Sequence, residues 1–199
     1  MATVVFLVRH AAHGLVRSVL CGRMEGVHLS EEGRLQAAAL ARRLARECPD
    51  ALCTGPLPRA RETAEAIARA TGLVPVVEAA LDEMDFGTWS GQSFVALEAD
   101  PEWRLWNEAR ASSRPPGGES MAEAQRRILS WLEARRKRQP EGRVVAVTHA
   151  EVIKAALAGV LGLSLDAHAR FDIAPAGLSA IALWEGGGKV LWMNEVAPT

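Results

Sequence analysis

Two short apolar runs end in residues that can do chemistry. Val4-Val5-Phe6-Leu7-Val8 leads directly into Arg9 and His10, and Val144-Val145-Ala146-Val147-Thr148 ends in His149, about 140 residues later. A third cationic group, Arg59, follows Gly55-Pro56-Leu57-Pro58 at the start of a helical pattern, where backbone N–H groups and the helix dipole already favour an anion. Guanidinium forks at Arg9 and Arg59 suit a phosphate or carboxylate group. Of the imidazoles of His10 and His149, one could attack an electrophile, and Glu83, in an irregular acidic loop, could supply a proton.

These groups need a scaffold that brings them together. A short apolar run rich in β-branched residues fits a strand buried on both faces of a parallel sheet. In open parallel sheets ligands bind beyond the carboxyl ends of the strands, where Arg9, His10 and His149 fall. Between them the chain alternates. Ser30 starts a helix with Glu31 and Glu32 in its first turn, and Ala37, Leu40, Ala41, Leu44 and Cys48 form its apolar face until Pro49-Asp50 stops it. Ala51 to Thr54 reads as a strand, Pro58 to Gly72 as a helix, and Val74 to Val77 as a third strand. The segment Leu81 to Gly91 is a long ordered loop holding Phe86 and Trp89. Phe94 to Ala109 is helical but broken at Asp100-Pro101, and Arg114-Pro115-Pro116-Gly117-Gly118 is a breaker. Ser120 and Glu123 make a capping box for the next helix. Another helix runs from about Glu151 to Leu161, and Leu178–Trp184 and Val190–Met193 form a terminal hairpin. This order predicts one α/β domain over residues 1–199, a three-layer α/β/α sandwich with a mostly parallel central sheet and a helical, substrate-facing insertion at about 94–114.

Bulk properties exclude several classes. The net charge of −1 gives no global pull toward nucleic acid or membrane, and the basic run Arg126, Arg127, Arg136, Lys137, Arg138 reads as a solvated helix face. Cys21, Cys48 and Cys53 are odd in number and irregular in spacing, against both a disulfide framework and a Cys-x-x-Cys metal site, so a reducing, cytoplasmic setting is expected. The first apolar stretch is too short to span a membrane. No Gly-x-Gly-x-x-Gly follows the first strand, which disfavours a nucleotide-binding Rossmann domain. His10, His13 and His28 offer a rival metal site without obvious carboxylate partners.

The same residues resemble the histidine phosphatase superfamily, also called phosphoglycerate mutase-like, from about Val4 to Met193. Arg9-His10-Ala11 is similar to its Arg-His-Gly signature. The next block matches across Leu29-Ser30-Glu31-Glu32-Gly33 and Gln36-Ala37. Thr54 to Ala64 resembles Ser-Ser-Pro-Leu-x-Arg-Ala-x-x-Thr-Ala, and Glu83, Phe86, Gly87, Trp89 and Gly91 match the acid-bearing loop. Pro116-Gly117-Gly118-Glu119-Ser120 and Val147-Thr148-His149 match the last two blocks.

The resemblance implies that His10 is the nucleophile that becomes phosphorylated. It further implies that Arg9, Arg59 and His149 hold the phosphoryl oxygens, that Glu83 protonates the leaving group and then activates water, and that neither metal nor cofactor is needed. The implied activity is hydrolysis of a small phosphorylated metabolite, with a mutase-type phosphotransferase or a silent phosphate-binding module as alternatives; the short chain favours the phosphatase, and a homodimer is left open. Two departures stand out. Ala11 replaces the signature glycine and is expected to narrow the backbone near the site. Val16 stands where many members have an asparagine at the phosphate, leaving Arg17 and Arg23 as candidates for its role and His13 as a further pocket residue.

Overall fold

The computed structural model describes residues 2–199. Its centre is β1 (Thr3–Arg9), whose Val5, Phe6, Leu7 and Val8 are wholly buried. Side chains alternate along a strand. Val5 and Leu7 therefore join one apolar cluster and Phe6 and Val8 the other. The Phe6 side is covered by α1 (Glu31–Ala45) and α2 (Pro58–Thr71), through Leu40, Leu44, Ala60, Ala64 and Ile67. The Leu7 side is covered by α5 (Met121–Arg138) and α6 (Ala150–Leu161), through Ile128, Leu132, Val152 and Ala156. The expected three-layer sandwich is the fold observed.

The remaining strands are β2 (Ala51–Thr54), β3 (Pro75–Val77), β4 (Arg143–Thr148), β5 (Leu178–Trp184) and β6 (Gly187–Glu195). The sheet order is β3-β2-β4-β1-β5-β6. β3, β2, β4 and β1 pair in parallel, and the terminal hairpin adds β5 and β6 antiparallel. Parallel neighbours need crossovers, which the helices supply. The segment 94–114 holds two short helices, α3 (Phe94–Leu97) and α4 (Pro101–Glu108), broken where the sequence places Asp100-Pro101. Trp89, Trp103 and Trp106 pack edge to face or tilted against one another beneath it. Among the described residues no helix is long and apolar enough to cross a membrane.

One element ends earlier than the sequence suggests. Cys48 was expected on the apolar face of α1, but the helix stops at Ala45, and Cys48 is exposed with φ +46°. Cys48 directly precedes Pro49, whose ring disfavours right-handed helical backbone there, so Cys48 does not extend α1.

The loop after β1 is set by a close backbone approach. Gly33 lies in the first turn of α1, and a Cβ there would stand 1.9 Å from the carbonyl oxygen of Ala12. The Ser30 N–H donates to that same oxygen at 3.0 Å. Gly33→Ala must push the loop carrying His10 to His13 away from α1. It is expected to cost about 1–3 kcal/mol in denaturant unfolding, and a fully stable G33A protein would contradict this account.

Candidate active site

Strand register places the two histidines. Arg9 lies opposite Thr148 across β1 and β4, and the His10 N–H donates to Thr148 O at 3.0 Å. His10 and His149 therefore leave the sheet side by side, their ring centroids 5.0 Å apart and both rings buried. His149 is also the N-cap residue of α6.

Arg59 joins them from the first turn of α2. Its side chain is 1% exposed, its Nη2 donates to Gly22 O at 2.6 Å, and its Nε lies 3.3 Å from His10 Nε2. Its Nη2 also stands 3.4 Å from His149 Nδ1. Arg9 donates through Nη1 to Ile173 O at 2.6 Å. The carbonyl of Ala11 accepts from His10 Nδ1 at 2.8 Å, so the proton sits on Nδ1 and the lone pair is on Nε2, where it accepts from Arg59 Nε at 3.3 Å. Glu83 reaches in from the irregular loop, its Oε2 3.6 Å from His149 Nδ1.

Burial and charge set the protonation states. Burial first, then Arg59 and Arg9, holds His10 well below the ordinary histidine value. Burial, His10 and the same arginines do so for His149. Both imidazoles are therefore neutral near pH 7. Burial pushes Glu83 the other way, up to about 7, against the opposing pull of Arg59. The site thus holds neutral imidazoles, fixed cations and a carboxyl poised to give or take a proton.

Three buried polar atoms at this point have no hydrogen-bond partner: Arg9 Nε, Arg59 Nη1 and His149 Nε2. Buried donors are rarely left so. With Arg59 Nη2 on His149 Nδ1, the His149 proton falls on Nε2, making all three atoms donors. Unpaired donors on neighbouring cationic and imidazole side chains suit an oxyanion. Arg9, His10, Arg59 and Glu83 line a cavity of about 230 Å³, walled further by Leu20, Phe86, Phe94 and Trp106.

The other expected residues divide. His13 lines the cavity, its ring 5.4 Å from that of His10, and burial with Arg59 and Arg9 pushes it down to about 4. Arg17 lines the cavity and is exposed. Arg23, expected at the substrate, instead turns away to an acidic cluster: its Nε donates to Glu83 O at 2.8 Å and its Nη2 to Glu119 at 3.1 Å. Charge explains the difference, since Asp82 and Asp85 also lie within 4 Å of its guanidinium. Ala11 does not narrow the cavity. Its methyl group packs in the core between the sheet and α1, its N–H donates to Thr63 Oγ1 at 3.0 Å, and its φ is not positive. Arg127, expected on a solvated face of α5, is half-buried and donates to Ala80 O, Asp82 O and Glu119. The rival metal reading loses a ligand, because His28 is exposed and pairs with Glu62.

Two charged cavity residues, Glu151 and Arg110, lie outside the expected set. Glu151, in the first turn of α6, pairs through Oε2 with Arg110 Nη1 at 2.5 Å. Burial opposes ionisation of Glu151, but Arg110, Lys154 and His168 outweigh it and hold the carboxyl below its ordinary value. Arg110 follows α4 and lies 3.3 Å over the Trp106 ring. Glu151 had a signal, a carboxylate two residues past a strand-end histidine; Arg110 had none.

Residues 5–196 match the model of the histidine phosphatase superfamily, branch 1. The chain belongs to the histidine phosphatase superfamily. Curated members similar to it include phosphoserine phosphatase 1 of Hydrogenobacter thermophilus, 35% identical over 178 residues, covering 87% of this chain and 84% of that protein. A glucosyl-3-phosphoglycerate phosphatase of Mycobacterium tuberculosis is 35% identical over 164 residues, covering 76% of this chain and 73% of its own. The solved structure of a mycobacterial glucosyl-3-phosphoglycerate phosphatase superposes with a TM-score of 0.89 at 28% identity, covering 98% of this histidine phosphatase chain and 99% of that one.

Glu83 gives a stability test. Folded, it keeps a proton up to about pH 7; unfolded, only up to its ordinary value of 4.5. Between these values the unfolded chain binds fewer protons, so this group lowers stability as pH rises. Glu83→Gln removes that slope. Relative to wild type, the variant should gain up to about 3 kcal/mol between pH 4 and pH 8. Thermal unfolding of both proteins across this range checks it, the opposing histidine contribution being common to both. A difference that does not widen with pH would refute the shifted carboxyl.

Proposed function

We propose that this histidine phosphatase hydrolyses a small phosphorylated metabolite through a phosphohistidine intermediate. The observation that carries the reading is the set of three unpaired buried donors, Arg9 Nε, Arg59 Nη1 and His149 Nε2, on residues beside a neutral His10 whose lone pair is on Nε2.

The phosphoryl oxygens take those donors, and Arg59 exchanges its contact with His10 for the more strongly accepting anion. His10 Nε2 then forms a bond to phosphorus as the ester P–O bond breaks. Arg9, Arg59 and His149 stabilise the charge on the equatorial oxygens, which is most of what phosphoryl transfer demands. The leaving alkoxide takes its proton from Glu83, still largely protonated near pH 7. Glu83, now a carboxylate, removes a proton from water, and the resulting hydroxide displaces phosphate from His10. Glu83 ends protonated and His10 neutral, so the cycle closes without a metal ion.

Substrate choice falls to the segment 94–114, which we read as an insertion within a single domain; Phe94, Trp103, Trp106 and Arg110 reach the cavity from it. The similar proteins named for phosphoserine and glucosyl-3-phosphoglycerate support a small metabolite as the substrate. Three free cysteines fit the cytoplasm.

The test is phosphate release from a panel of phosphorylated metabolites, with chelator present. Wild type should release phosphate and His10→Ala should not. Equal release by both would remove His10 as nucleophile, while transfer of phosphate between substrates without release would favour the mutase. For the best substrate, kcat/KM should fall as pH rises through about 7, where Glu83 loses its proton. A rate that instead rises through that range would exclude Glu83 as the acid.

A further inference from the structure

Glu83 sits in a loop with little regular structure, yet its carboxyl must be held in place to serve a leaving group. Its own hydrogen bond, Oε1 accepting from the Met84 N–H at 2.9 Å, is local and cannot fix the loop against the sheet. Two attachments do so. On the β4 side, the Thr148 hydroxyl donates to Leu81 O at 2.7 Å in a buried bond beside His149. On the opposite side stands Glu119, the acidic residue of Pro116-Gly117-Gly118-Glu119-Ser120.

Glu119 is the hub of a pair of arginine clamps. Its carboxylate accepts from Arg127 Nε at 3.0 Å and Nη2 at 2.9 Å, a bidentate pair, and from Arg23 Nη2 at 3.1 Å. Each arginine then spends its remaining donors on the backbone of the acid loop. Arg23 Nε reaches Glu83 O at 2.8 Å; Arg127 Nη1 reaches Ala80 O at 2.7 Å and Asp82 O at 3.0 Å. The Glu83 carbonyl and two carbonyls before it, Ala80 O and Asp82 O, are thus held by guanidinium groups that share the Glu119 carboxylate, with Asp82 and Asp85 also facing Arg23. The backbone closes the arrangement: the Glu119 N–H donates to Asp85 O at 2.7 Å, and the Thr88 N–H donates to Pro116 O at 3.1 Å. The two chains touch so closely that a Cβ on Gly118 would lie 2.3 Å from Asp85 O, and one on Gly87 2.0 Å from Pro116 O.

We propose that Glu119, acting through Arg23 and Arg127, is a positioning residue for proton transfer by Glu83. The proposal rests on the reading of Glu83 as the general acid. None of the three side chains lines the cavity, so none touches substrate. Their contribution lies in the placement of Glu83 O and its neighbours, and through them of the carboxyl beside His149. Small misplacements of a catalytic group are costly.

A leaving-group comparison separates positioning from general loosening. An alkyl phosphate needs its leaving oxygen protonated, whereas p-nitrophenyl phosphate expels an anion that is stable without a proton. kcat/KM reports the first step, in which that oxygen departs. Glu119→Gln keeps the shape but weakens both clamps. It is expected to lower kcat/KM for the alkyl phosphate found best in the metabolite panel by about tenfold or more, part of the 10²–10⁴-fold that a general acid supplies. The value for p-nitrophenyl phosphate should change much less. Arg23→Met, on a partly exposed side chain, should show the same selective loss and decides the matter if E119Q does not fold.

Glu83→Gln is the control. If E83Q is selective for the alkyl phosphate and the clamp variants lose both substrates equally, or neither, the positioning role is wrong and the acid stands. If E83Q itself loses both substrates equally, the acid reading falls and the proposal falls with it.

Discussion

Everything at the site depends on the parallel pairing of β1 with β4. Because Arg9 lies opposite Thr148, the two strands end level, and the residues that follow them emerge as neighbours. A parallel pair has its carboxyl ends at the same edge by construction. The core makes this register hard to shift: a slip by one residue would exchange Phe6 and Val8 with Val5 and Leu7 between two fully buried faces. The bond from the His10 N–H to Thr148 O extends the ladder one residue beyond the strand. The distance between the two rings is therefore a property of the sheet and needs no flexible loop to set it.

A second constraint is the burial of concentrated charge. Burial, reinforced by the Arg59 and Arg9 guanidinium groups, keeps both histidines neutral, and burial likewise works against the charged form of Glu83. These opposite displacements give an uncharged imidazole at His10 and a protonated carboxyl at Glu83 at one pH, although the isolated side chains would give the reverse order of proton affinities. The donors that remain unpaired meet their natural partner in a phosphoryl group. The same surroundings that disfavour a proton on His10 thus favour an anion next to it.

Much of this was legible in the chain. Short apolar runs ending in Arg9-His10 and His149 marked the strands and their chemistry, and Pro58 placed Arg59 in the first turn of α2. What was not legible was direction. Arg17 and Arg23 occupy one loop, but only Arg17 lines the cavity; the carboxylates that draw Arg23 away come from segments far off in the sequence. Arg127 was read from helical spacing as solvated, yet the acid loop covers it. Ala11 looked intrusive because a glycine was expected, although its backbone has no need of one and its methyl group turns into the core. Arg110 carried no local pattern, since its partner Glu151 is 41 residues away.

That last pair has a consequence for how such a protein can change. The helices over the cavity are joined to its floor by Arg110, which stacks on Trp106 and binds Glu151 in the first turn of the helix that His149 caps. Removing one member of a buried ion pair costs roughly 3–5 kcal/mol. The covering helices are therefore not an interchangeable module. A lineage, or a designer, that exchanges them for a new specificity must carry a cation across in the same place or replace Glu151 at the same time. Successive single changes would pass through a chain with a bare carboxylate in the first turn after His149.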